Sequence, residues 1–179
     1  MVAGVWTLHN FLKKPHLVMT SEQFPLLEVP GSQRPLVTSP SGHHSLSPGD
    51  YAVIYGINSV YMAGIQGASV TIAVVGRTDI NPGDVQQFRN IFRLPAAGLQ
   101  VIFNGPDPGD LGGNEEAEAV LDTTWSGAVG QAASVDLVVS ASTDTTDGVD
   151  LSELYIVDNN LGDVMTESFG VSAPTVACS

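Results

Sequence analysis

Glu118 and Asp122 stand four residues apart in a stretch reading GNEEAEAVLDTTWSGAVG, residues 113–130. On a helix that spacing puts both carboxyls on one face, one turn and about 6 Å apart. Two acids so close at the rim of an apolar stripe cannot both ionise freely, because each anion disfavours the other and partial burial disfavours both. They titrate as a coupled pair. A member with a raised pKa, hydrogen-bonded to a serine hydroxyl, serves as general base at acidic pH, where histidine is already protonated. Residue types alone do not settle the matter, since such a pair is more often a solvated helix face.

The elements that must position the pair are legible around it. Ser69 to Val75, SVTIAVV, is a β-branched run of the kind buried on both faces in a parallel sheet. A helix is predicted from Pro82 to Phe92, with Asn81 as N-cap and Pro82 at the first helical position. Gln100 to Phe103 is a second strand. The acid-bearing helix is predicted from Glu115 to Val129, capped by Asn114, with Glu115 and Glu116 at the positive end of its dipole. Ala117, Val120, Leu121, Thr124, Trp125 and Ala128 follow a 3.6-residue period and make its core face, which puts Glu118 and Asp122 at the edge of that face. A strand from Val135 to Val139, a helix from Val149 to Asn160 with Leu151, Leu154 and Tyr155 facing in, and a strand from Asp163 to Phe169 complete the series. Repeated strand-helix-strand units predict an α/β domain with a parallel sheet and right-handed crossovers.

Composition narrows the functions. The chain has 179 residues, 43% hydrophobic and 14% charged, enough to bury a core. Its net charge of −13 argues against nucleic acid and against anionic membranes as partners. It suits work at low pH or simple solubility. Cys178 is the single cysteine, so neither an internal disulfide nor a cysteine metal site is expected. No apolar run approaches the roughly 20 residues that span a bilayer, and the first residues lack the ordered regions of a signal peptide. Residues 25–48, punctuated by Pro30-Gly31, Ser39-Pro40 and Ser47-Pro48-Gly49, read as an extended linker. The apolar patch of Val5, Trp6, Leu8, Phe11 and Leu12 before it, followed by Lys13 and Lys14, is too small to make a core alone.

Other constellations point less far. His43 and His44 are adjacent, so their side chains diverge in extended chain, and no third ligand accompanies them. Asp107, Asp110, Asp144, Asp147 and Asp150 lack the spacing of an EF-hand and fit turns and helix caps. Gly76 ends a strand without any glycine-rich nucleotide pattern. Trp125 and Tyr155 read as core.

Taken together, HHSLSPGDYAVIYGINSVYMAGIQGASVTIAVVGRTDINPGDVQQFRNIFRLP, then VIFNGPDPG and the Glu118 helix, then WSGAVGQAASVDLVVSASTDTTDGVDLSELYIVDNNLGDVMTESFG, resemble the sedolisin (kumamolisin-like) family of serine-carboxyl peptidases. The resemblance implies a subtilisin-like three-layer α/β domain, here its N-terminal half. It implies a secreted endopeptidase acting on protein or peptide at acidic pH through a Ser-Glu-Asp triad. Glu118 then corresponds to the general base and Asp122 to the carboxyl that polarises it. Ser168, Phe169 and Gly170 correspond to the strand that pairs with substrate backbone, a β-augmentation contact. Residues 1–24 correspond to a prodomain remnant, 25–48 to a linker holding the maturation cut, and 49–179 to the N-terminal part of the catalytic domain.

The departures are equally specific. The GDSG-like segment carrying the family's oxyanion Asp and the SGTS-like segment carrying its nucleophile do not occur. The family's calcium site would lie in the missing C-terminal part, so neither a cofactor nor a metal is expected here. After Gly170 the sequence VSAPTVACS does not align, and Gly130-Gln131 replaces the family's usual Ala-Pro. The expected partners are a protein or peptide substrate and the remainder of the catalytic domain and prodomain. On its own the chain is expected to lack peptidase activity and to expose a sheet edge. The alternative is a non-catalytic binding, structural or inhibitor-like module that keeps half of a subtilisin-like fold.

Overall fold

The computed structural model describes residues 13–15, 37–38 and 44–170. Strands β1 (Lys14–Pro15), β2 (Val37–Thr38) and β3 (His44–Ser45) are two residues each, and helices α1 (Pro48–Ile54) and α2 (Asn58–Met62) follow. The remainder alternates through β4 (Thr71–Gly76), α3 (Pro82–Ile91), β5 (Leu99–Phe103), α4 (Gly113–Val129), β6 (Ser134–Val139), α5 (Gly148–Asn159) and β7 (Val164–Thr166), with β8 (Phe169–Gly170) last.

The β-branched run does what its composition dictates. β4 and β6 sit at the centre of a four-stranded sheet ordered β5-β6-β4-β7, and all three pairings are parallel. Val74, Val135, Leu137 and Val139 pack with Val85 of α3 and Ala119 of α4. Ala73, Val75 and Val138 pack with Val149 and Ile156 of α5. Successive strand residues point to opposite faces, so helices cover both faces of the sheet. The chain is therefore a mixed α/β protein in three layers. No helix among the described residues is long and apolar enough to cross a membrane.

Several predicted boundaries move, each for a local reason. Asn81 caps α3 as expected, its side chain accepting from Gly83 N at 2.9 Å. Asn114 does not cap α4: Gly112, at φ +67°, is the capping residue, and the helix begins at Gly113. β4 starts at Thr71, because Ser69 adopts φ +66° and ends the approach in left-handed backbone. The predicted strand from Asp163 to Phe169 is broken. Its first part is β7, whereas Phe169 leaves the sheet and pairs with Pro15. On α5 the buried residues are Gly148, Val149, Ser152 and Ile156, and Leu154 faces solvent, 58% exposed.

Within residues 25–48 the described residues lie at 37–38 and 44–48. His44 and Ser45 pair with Val37 and Thr38, and Ser47 opens α1 with a reciprocal capping box to Asp50. The apolar patch from Val5 to Leu12, His43, Cys178 and the sequence after Gly170 lie outside the described residues.

Candidate functional site

The loop before α4 fixes where that helix begins. Asp107 Oδ1 accepts from Gly109 N and Asp110 Oδ1 from Gly112 N, both at 2.7 Å, as the turn and cap reading expected. Leu111 N donates to Thr78 Oγ1 at 2.9 Å, which ties the loop to the chain just beyond β4. The first turn of α4 therefore lies at the carboxyl end of the central strand, where open parallel sheets place their ligands.

Small residues let α4 lie close on the sheet. A Cβ at Gly127 would come within 3.1 Å of Val135 Cγ2. Ala119, Thr123, Gly127 and Ala128 are buried. Of the predicted core stripe Thr124 and Ala128 are buried and Val120 packs against the core, and the buried face extends beyond it to Glu118, Ala119, Thr123 and Gly127. Ala117, Val120, Leu121, Thr124 and Trp125 line a groove of about 390 Å³ shared with Phe88 and Ile91 of α3. Trp125 meets Tyr51 at 5.5 Å and Phe88 at 6.0 Å between ring centroids.

That wider face takes in Glu118. Glu118 is 2% exposed and belongs to the most buried side chains of the described structure. Asp122, one turn on, accepts a hydrogen bond at Oδ1 from Ser168 Oγ at 2.8 Å. Burial pushes the Asp122 carboxyl above the ordinary carboxylate range, and the Ser168 hydroxyl pulls it part of the way back. Asp122 Oδ2 is buried and makes no hydrogen bond among the described residues. Asp122 and Ser168, proposed from sequence for two separate roles, are thus hydrogen-bonded to each other.

One edge of Phe169 and Gly170 is already taken by the chain itself. They pair antiparallel with Pro15 and Lys14, and β1 also packs against α4.

The residue that organises this end of the molecule is Arg77, just past β4 and only 7% exposed. Its Nε and Nη2 donate to the two carboxylate oxygens of Glu115 at 2.8 and 2.6 Å. Its Nη1 donates to both oxygens of Asp147 at 2.8 and 2.9 Å, and Nη2 also donates to the Lys13 carbonyl at 2.7 Å. The guanidinium lies 5.4 Å from the centroid of the Phe169 ring. Burial alone would lower its pKa, but hydrogen bonds to Glu115 and Asp147 reverse that and raise it. Asp147 doubles as N-cap of α5, accepting from Val149 N at 3.1 Å. Burial would raise its carboxyl, yet Arg77 and the backbone donors hold it below the ordinary range.

Sequence reasoning missed this network. Its members lie far apart in the chain, and the one available signal was a lone Arg directly after a buried strand in a chain with six Lys plus Arg.

Lys13 completes the arrangement. Its Nζ lies 3.0 Å from Asp150, 3.4 Å from Glu153 and 2.9 Å from Glu167, and its backbone N donates to Asp147 Oδ2 at 2.7 Å. Among the described residues no three His, Cys, Asp or Glu side chains group as metal ligands would. No protein-family model, curated protein or solved structure matches the chain.

Proposed function

We propose that the chain is the N-terminal part of the catalytic domain of a sedolisin-like serine-carboxyl peptidase, a secreted, acid-acting endopeptidase with a subtilisin-like fold. The observation that carries this reading is the buried acid pair on α4: Glu118 sits one turn before Asp122, whose carboxyl is raised by burial and held at Oδ1 by Ser168. In the proposed mechanism Glu118 takes the proton of a serine hydroxyl as that oxygen attacks the peptide carbonyl, then returns it to the leaving amine. Asp122 polarises Glu118. The edge from Ser168 to Gly170 aligns the substrate backbone. The nucleophile and the oxyanion Asp belong to segments that these 179 residues do not contain, so the chain by itself is proposed to be inactive.

Sequencing the native transcript on both sides of this reading frame tests the proposal. In-frame GDSG-like and SGTS-like segments downstream are the expected result, and a stop codon directly after Ser179 would overturn it. The purified chain should leave denatured protein intact at about pH 4, within the carboxylate range. Hydrolysis that disappears in Glu118→Ala would contradict the assignment of the nucleophile to a missing segment. The occupied β8 edge favours a second reading, a non-catalytic binding or inhibitor-like module. A monomeric, cooperatively melting chain would support that module.

A further inference from the structure

Residues 13–15 touch the body of the protein as a bound peptide touches its site. Lys14 and Pro15 add a short antiparallel strand to β8, the mode in which an extended peptide joins a sheet edge. The Lys13 carbonyl accepts from Arg77 and its N–H donates to Asp147, so the backbone is held at both groups. Its side chain then enters a carboxylate cage of Asp150, Glu153 and Glu167.

The cage is shaped for a cation. Glu153 is raised first by its hydrogen bond with Glu167 and further by burial and by the charge of Glu167, so the two acids oppose each other when nothing positive lies between them. Burial works against the charge of Lys13, but hydrogen bonds to Glu167 and Asp150 and the nearby charges raise its pKa above the ordinary lysine value.

We propose that the β8 edge, Arg77 and the cage of Asp150, Glu153 and Glu167 form a binding site for an extended peptide bearing a Lys or Arg side chain, with residues 13–15 as its intramolecular occupant. This rests on the reading of Ser168 to Gly170 as a peptide-pairing strand and names the substrate class it selects. Backbone pairing supplies affinity without regard to sequence, whereas the cage selects a basic side chain one residue before the paired dipeptide. The tethered segment competes at a high effective concentration, so a peptide in trans binds only when the tether is weakened.

The test uses the full chain, unaltered and as Lys13→Ala and Lys13→Arg, with a fluorescein-labelled peptide of the sequence of residues 11–17, FLKKPHL, read by fluorescence anisotropy. Lys13→Ala should bind it at least about tenfold more tightly than the unaltered chain. Lys13→Arg, which keeps the cation, should exclude it as the unaltered chain does. A peptide with Glu at the Lys13 position should bind Lys13→Ala at least about tenfold more weakly. Adding Glu167→Gln to Lys13→Ala should weaken the lysine peptide while leaving the glutamate peptide unchanged or tighter.

Equal binding of both peptides, or no gain in Lys13→Ala with an unchanged thermal transition, would sink the proposal. If Lys13→Ala does not fold, Glu167→Gln alone decides: relative to the unaltered chain it should shift preference from the lysine peptide toward the glutamate peptide, and an unchanged preference overturns the inference. A stop codon directly after Ser179 would end the peptidase reading yet leave these binding outcomes standing.

Discussion

Ser168 Oγ donates to Asp122 Oδ1 across 2.8 Å and so joins the segment after β7 to the middle of α4. The hydroxyl favours the charged carboxylate. Ser168→Ala should therefore raise the Asp122 pKa further and cost about 1–2 kcal/mol. The loss should be larger at alkaline pH, where Asp122 is ionised, than in acid, where it is protonated. Carboxyl carbon shifts across a pH series and urea denaturation read the two effects, and an unmoved Asp122 titration would contradict the contact.

Asp122 and Asp147 shift in opposite directions, so they bend stability against pH with opposite signs. Asp122 holds its proton to higher pH in the fold than when unfolded. Its penalty is absent in acid and grows as pH climbs from the ordinary aspartate value through the raised one. Asp147 has a lowered folded pKa. Its contribution is present above the ordinary aspartate value and disappears as pH falls through the folded one. Asp122→Asn should gain on the unaltered chain as pH rises, and Asp147→Asn should lose on it. Parallel pH profiles for the two variants would refute the opposed shifts.

Removing Arg77 strands Glu115 and Asp147. Arg77→Met should destabilise the chain by about 3–5 kcal/mol, the usual cost of breaking a buried ion pair from one side. Arg77→Lys should recover little of it, because an ammonium cannot serve two carboxylates in bidentate fashion while reaching the Lys13 carbonyl. Denaturant midpoints measure both, and near-complete rescue by Lys would show that charge alone suffices.

Gly148 opens α5 where the helix meets β6. A Cβ there would lie 2.1 Å from the Ser140 carbonyl oxygen and 2.9 Å from Arg77 Cβ. Gly148→Ala should cost more than about 3 kcal/mol, since backbone and a clamped Arg must both move. A thermal transition within a degree or two of the unaltered chain would show that the helix start shifts freely.

The layered α/β architecture was legible because its signals are local. The VTIAVV run, the Asn81-Pro82 start and the acid-rich first turn of α4 each declare an element within a few residues. The site was legible in part: the helix period set Glu118 and Asp122 one turn apart, but their depth depends on how α4 rolls on the sheet. Small Ala119, Thr123 and Gly127 decide that roll, and they carry little weight in an apolar periodicity. Ser47-Pro48-Gly49-Asp50 reads as linker by its Pro and Gly, although Ser three residues before Asp is also a capping box. The contacts of Arg77 and Lys13 join residues remote in sequence, and no local pattern announces them.

The strand order carries a consequence for the ribosome. β4 lies between β6 and β7, both of which leave the exit tunnel only after α3, β5 and α4 have been made. Until then the segment TIAVVG, among the most apolar in the chain, has neither neighbour, and its unpaired backbone can template pairing with another nascent chain. Translation speed and chaperone supply thereby enter the yield of this protein.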